Sequence, residues 1–93
     1  MAKSRIQPNK DCCYRCNIPK FYVTLEEHHI FNGPLRSKAE EDGLKIYLCH
    51  ECHEEVHRNI GLRTKLKQLG QEVFEKEIGT REDFMKRYHK NYL

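Results

Sequence analysis

Residues 48–57, L-C-H-E-C-H-E-E-V-H, constrain this chain more than any other stretch. Cys49 and Cys52 stand three apart, and His53 and His57 stand four apart. Thiolate and neutral imidazole are the side chains that best ligate a borderline-soft divalent metal. Cys-x-x-Cys is the bite of a zinc knuckle, in which a tight turn brings both thiolates to one ion. His-x-x-x-His sets two imidazoles one turn apart on one face of a helix. The run therefore predicts a knuckle that passes directly into a metal-binding helix. Neither pair completes a site alone, so the remaining ligands must come from elsewhere.

Upstream, C-C-Y-R-C repeats the knuckle spacing at Cys13 and Cys16 and leaves Cys12 over. Two knuckles joined by a long insertion predict a closed structural zinc site of Cys13, Cys16, Cys49 and Cys52. The composition calls for such a site. Of 93 residues, 38% are hydrophobic and 33% charged, which leaves a thin core for a single domain. The cysteines are odd in number and four of them fall in knuckle pairs, which favours zinc over disulfides and hence a reducing compartment. There is no apolar stretch near about 18 residues and no signal-peptide pattern, so a soluble, cytoplasmic protein is expected.

Along the chain, residues 1–11 lack periodicity and read as a flexible basic lead-in. Asn17-Ile18-Pro19 reads as a turn. Residues 21–31, rich in aromatic and β-branched side chains, predict a strand with His28 and His29 near its end. Asn32-Gly33-Pro34 breaks it. Residues 35–43 predict a short helix capped by Ser37 and stopped by Gly43. Residues 44–48 predict a second strand, followed by the metal-binding helix to about Asn59. Leu62, Leu66, Leu69, Val73 and Phe74 form a helical stripe that ends at Gly79. Thr80 and Asp83 form a capping box that opens a last helix through Phe84, Met85 and Tyr88. The organisation expected is a lead-in over 1–11, a zinc-stapled core over 12–60, and a helical extension over 61–93 packed on it.

Four of the six histidines, His28, His29, His53 and His57, fall where a strand packed on a helix would gather them. His50 and His89 read as surface residues. Cys13-x-x-Cys16, then Leu25-Glu26-Glu27-His28-His29-Ile30-Phe31, then Leu48-Cys49-x-x-Cys52-His53-x-x-x-His57, resembles the HNH endonuclease family of ββα-metal (His-Me finger) nucleases. The cysteine pair before each half of the motif is similar to small phage and prophage HNH proteins. The histidine pattern is also similar to the nuclease domains of bacterial DNase colicins.

The resemblance implies an α+β fold: a small ββα-metal core with a four-cysteine zinc and C-terminal helices. It implies hydrolysis of DNA phosphodiester bonds to 5′-phosphate and 3′-hydroxyl ends. His29 takes the general-base position. His28, His53 and His57 take the positions that hold one catalytic divalent ion (Mg²⁺, Mn²⁺, Ni²⁺ or Zn²⁺). The setting implied is the cytoplasm of a bacterium or a phage-infected host. One position departs from the pattern: the family's middle Asn, nine residues before His53, is Leu44, with Asn32 or Asp42 as possible substitutes.

Charge is unevenly spread: +4 over residues 1–20, −4 over 21–59 and +3 over 60–93. The basic flanks suit a nucleic-acid backbone, and Arg5, Arg15, Arg36, Lys38, Arg58, Arg63, Lys65, Arg81 and Arg87 are candidates for contacting it. No sequence-reading module is recognisable, so cleavage with low sequence preference is expected, with specificity left to a protein partner. Two other readings stand beside this one: a non-catalytic zinc-binding module for DNA or protein, and a degenerate phage accessory protein.

Overall fold

A computed structural model describes residues 3–93. Two antiparallel strands and four helices follow in the order β1 (Glu26–His29), α1 (Arg36–Asp42), β2 (Lys45–Leu48), α2 (His50–Arg58), α3 (Ile60–Glu77) and α4 (Arg81–Tyr88). A 3₁₀ turn, Gly33–Leu35, leads into α1. The strands pair with Glu26 opposite Leu48 and His29 opposite Lys45, so α1 lies within the β1–β2 connection and α2 leaves the end of β2.

β1 is shorter than the strand expected over residues 21–31. Its partner β2 offers four residues before Cys49 turns into α2, and pairing stops there. Phe21 and Tyr22 instead occupy a turn, Tyr22 N–H donating to Pro19 C=O, and both are exposed. Ile30 and Phe31 lie past the last pair and are buried in the core.

Ser37 does not cap α1. The 3₁₀ turn set by Pro34 runs straight into the helix through Leu35, already in right-handed backbone, so there is no extended position for a cap. Gly43 does end α1, in left-handed conformation at φ 69°. The other helix ends follow the sequence closely. Asn59 caps α3 by accepting from Leu62 N–H at 3.1 Å, and Thr80 and Asp83 form the reciprocal capping box of α4.

Residues 4–7, which showed no periodicity, are docked along β2. Ser4 Oγ donates to Lys45 C=O, Arg5 N–H donates to Gly43 C=O, and Gln7 Oε1 accepts from Tyr47 N–H at 2.8 Å. They satisfy backbone groups of Lys45 and Tyr47 in β2 and of Gly43 just before it. Met1 and Ala2 of the expected lead-in lie outside the described residues.

The core is one cluster. Ile30 and Phe31 pack in it with Leu44, Ile46, Leu48, Val56, Phe74, Phe84 and Tyr88. Phe31 lies 4.5 Å from Tyr88 and 5.6 Å from Phe84 between ring centres, and so joins the helical extension to the hairpin. α4 is tied to α1 by polar contacts: Asp42 accepts from Tyr88 Oη at 2.6 Å and from Arg87 Nε at 2.7 Å. Gly70, inside α3, packs closely against the core: an added Cβ would lie 3.0 Å from Ile30 and 3.2 Å from Phe31.

Gly43 is the position least tolerant of a side chain. A Cβ there would collide with the Lys3 carbonyl oxygen while the backbone held a left-handed conformation. Gly43→Ala is expected to destabilise the zinc-loaded protein by about 1–3 kcal/mol in urea unfolding, and an unchanged midpoint would contradict this placement.

Candidate metal centres

Four thiols converge where the N-terminal knuckle meets the β2–α2 junction. The knuckle closes by Cys13 N–H to Ile18 C=O (3.0 Å) and Asn17 N–H to Cys13 C=O (2.9 Å), with Asn17 in left-handed conformation. Tyr14 N–H, donating to Tyr47 C=O at 2.8 Å, fastens it to β2. Cys49 precedes the first turn of α2 and Cys52 lies within that turn. The Sγ atoms of Cys13, Cys16, Cys49 and Cys52 all lie within 4.8 Å of one another. Cys16 and Cys49 are 3.8 Å apart, the tetrahedral edge given by Zn–S bonds of about 2.3 Å. No pair is disulfide-bonded. Cys12 stands outside the group and points to Asn17.

The electrostatics of the four thiols suit a cation. Burial, then the neighbouring Cys49, Cys13 and Cys16 thiols, push the Cys52 thiol up to about 12. Burial acts on Cys13 in the same direction, but backbone N–H groups of Cys16, Cys49 and Arg15 outweigh it and bring Cys13 down to about 6. Without a cation the four sulfurs cannot all ionise together. A divalent ion makes that possible, and the chemistry and spacing of the donors suit zinc.

The histidines divide into two groups, because neighbours on a strand point to opposite faces. His28 faces α2, where His53 and His57 stand one turn apart. The three ligand atoms lie within 4.8 Å, with ring centres 4.7–5.4 Å apart. His28 is buried and His57 is exposed, so the triad opens to solvent on one side. Glu26, two residues before His28 and on the same strand face, accepts from His53 Nδ1 at 2.7 Å, which leaves Nε2 for a metal. Burial, then the adjacent His53, His57 and His29, lower His28 to about 4, so the ring is neutral and competent to ligate near pH 7. Three imidazoles with open positions fit a divalent ion that also binds water or substrate.

His29 faces the other way, toward α1. Its Nε2 lies 2.8 Å from Glu40 Oε1, and Arg36 Nε is 3.4 Å from its Nδ1. Lys45, 1% exposed, is bonded to both Glu40 oxygens at 3.0 and 2.9 Å and to Glu27 at 3.3 Å. The structure therefore brings His28, His53 and His57 together and places His29 in a separate polar group. The His29 hydrogen bond, then that from Lys45, hold the Glu40 carboxyl down to about 2. Its share of folding stability is present above the ordinary carboxylate value of 4.5 and is lost as pH falls toward about 2.

Leu44, where the resemblance led one to expect Asn, is a fully buried core residue. Asp42 is bound to α4, and Asn32 makes no side-chain cap bond. Glu40, Lys45 and Glu26 are the partners that sequence reasoning passed over. Only Glu26 carried a signal, the two-residue alternation from His28. His50 is exposed as expected but pairs with Glu26 at 3.2 Å, and His89 is exposed at the end of α4. Among the candidate cations, Arg5, Arg58, Arg81 and Arg87 pair with carboxylates, Lys38 donates to the Arg87 carbonyl, and Arg15 lies against Cys52. Arg36 is the one set beside a histidine, at an open cleft that His29, Glu40 and Gly33 also line. No helix among the described residues is long and apolar enough to cross a membrane.

Compared with known proteins, the chain matches no family model, no curated protein and no solved structure.

Two measurements check this description. Cys16→Ser is expected to lose the bound zinc and unfold, and Cys12→Ser to do neither. A folded, zinc-replete Cys16→Ser protein would overturn the thiolate assignment. His28, with a folded value near 4 below its ordinary 6.5, contributes stability that is fully present above 6.5 and lost as pH falls toward 4. The urea midpoint of His28→Gln, measured without added metal, should therefore fall less than that of the wild type between pH 7.5 and 5.5.

Proposed function

We propose that this protein is a metal-dependent endonuclease of the HNH type that hydrolyses DNA phosphodiester bonds. One observation carries the reading: a strand and the helix after its partner bring His28, His53 and His57 into one open ligand group, beside a separate thiolate cluster. A closed site for structure and an open one for chemistry is the division of labour this reaction needs. The β1–β2–α2 arrangement, with the triad on its strand and helix, supports a ββα-metal core.

A phosphodiester resists attack because its charge repels nucleophiles and its alkoxide leaves poorly. A divalent ion on the triad supplies charge neutralisation at the phosphate and at the leaving oxygen. The remaining steps belong to side chains. Imidazole has an ordinary value near 6.5, suited to accepting a proton from water at neutral pH, and His29 takes that role. The water proton passes to His29, the oxygen bonds to phosphorus, and the P–O3′ bond breaks. The 3′ oxygen then takes a proton from solvent, leaving 5′-phosphate and 3′-hydroxyl ends. Backbone contact without a base-reading element predicts low sequence preference, with a protein partner supplying any specificity.

The rival reading is a non-catalytic zinc-binding module or a degenerate accessory protein. It draws on the separation of His29 from the triad by the strand. Supercoiled plasmid incubated with Mg²⁺, Mn²⁺, Ni²⁺ or Zn²⁺ separates the two. His29→Ala should bind metal at the triad yet cleave about 100-fold or more slowly. His28→Ala and His57→Ala should lose metal affinity first and regain part of their activity with excess metal. Wild-type protein that leaves the plasmid intact in all four metals favours the rival. Binding to unrelated duplexes should weaken steeply with salt, and a shallow slope with one preferred sequence would count against the backbone-led mode.

A further inference from the structure

We propose that Glu40, held by the buried Lys45, is a positioning residue that fixes His29 as its Nε2–H tautomer and makes Nδ1 the atom that accepts the proton from water. The inference rests on the endonuclease reading and deepens it. A carboxylate can only accept, so His29 Nε2, at 2.8 Å from Glu40 Oε1, carries the hydrogen. A guanidinium can only donate, so Nδ1, facing Arg36 Nε at 3.4 Å, carries the lone pair. Two neighbours on opposite sides of the ring give the same tautomer independently.

Glu40 cannot turn away easily. Lys45 Nζ bonds both of its oxygens and anchors to Glu27 as well. The ammonium is buried, and the His29 side chain is 5% exposed. Glu27, His29 and Glu40 come close enough together to hold a metal, but Lys45 already supplies the positive charge among them. The group therefore orients a base and does not bind an ion.

A proton arriving at Nδ1 gives an imidazolium whose Nε2–H already points at a carboxylate, so no atom has to rearrange. Arg36 is exposed and its bond to Nδ1 is long. A guanidinium bonds a phosphate oxygen more strongly than an imidazole, so a bound phosphodiester draws Arg36 off and frees the lone pair for water. The water O–H electron pair becomes the new bond to phosphorus as its proton joins Nδ1, and the P–O3′ pair leaves on the 3′ oxygen.

The test reads the ring nitrogens of His29 by ¹⁵N NMR in zinc-loaded, histidine-labelled protein, alongside plasmid cleavage. Wild type should show the Nε2–H tautomer. In Glu40→Gln, Lys45 still demands an acceptor and takes the amide carbonyl. The amide NH₂ then faces His29 and drives it to the Nδ1–H tautomer. The expected loss is about 10–100-fold in kcat, with KM changed less than about threefold. Adding Lys45→Met releases the carbonyl and should restore the Nε2–H tautomer and part of kcat, a rescue that general destabilisation would not give. If Glu40→Gln fails to fold, Glu40→Asp serves instead: its shorter carboxylate still only accepts, so Nε2–H should persist with reduced kcat. An Nδ1–H tautomer in wild type or in Glu40→Asp overturns the proposal, as does a Glu40→Gln protein with unchanged tautomer and kcat. A wild type that cleaves nothing in any divalent metal overturns the endonuclease reading and with it the proton-accepting role, while the ¹⁵N spectrum still decides whether Glu40 sets the tautomer.

Discussion

Four thiols meet at one point where two distant segments of the chain come together. Cys13 and Cys16 belong to a turn with little apolar surface, and Cys49 and Cys52 belong to the junction where β2 becomes α2. A cation held by the four would join those segments and fix the direction in which α2 leaves the hairpin. That direction decides whether His53 and His57 face β1. In a chain with so few hydrophobic residues, metal-ligand free energy adds directly to folding free energy. With a metal on the thiols, the open histidine group would depend on the closed thiolate group, although they share no ligand.

The second constraint is strand alternation. His28 and His29 are neighbours in sequence, yet the pleat sends one toward α2 and the other toward α1. The separation gives each ring its own electrostatic surroundings. His28 sits among other imidazoles and apolar atoms, which keep it neutral and able to ligate. His29 sits against the Glu40 carboxylate, with its Nε2 2.8 Å from Oε1. In the proposed reaction, one dipeptide thereby serves two kinds of chemistry that would interfere if both rings faced the same way.

Most of this was legible in the residues, for identifiable reasons. Cys-x-x-Cys and His-x-x-x-His encode geometry locally, within one turn of backbone, and both appear as expected. The capping box of α4 and the stop at Gly43 are equally local. What sequence could not supply were features fixed by partners far along the chain. β1 ends where β2 runs out of residues, so aromatic and β-branched content at Phe21 and Tyr22 did not make strand. Ser37 lost its capping role to a 3₁₀ turn that enters the helix smoothly. The lead-in is docked because β2 presents unpaired groups to it, a fact of topology and not of its own composition.

Lys45 shows the same limit most clearly, and also why the limit matters. A lysine in a four-residue strand reads as solvated, yet this one is among the most buried side chains of the protein. Burying an ammonium with two carboxylates contributes little net stability compared with an apolar side chain of the same volume, whereas removing one partner commonly costs about 3–5 kcal/mol. An apolar residue here would serve a thin core better. A buried charge does supply direction: it commits Glu40 to one orientation, and Glu40 in turn commits His29. Under the proposed reaction, the polar group on the α1 face of β1 answers the requirements of a histidine that presents one chosen nitrogen, more than the requirements of the fold.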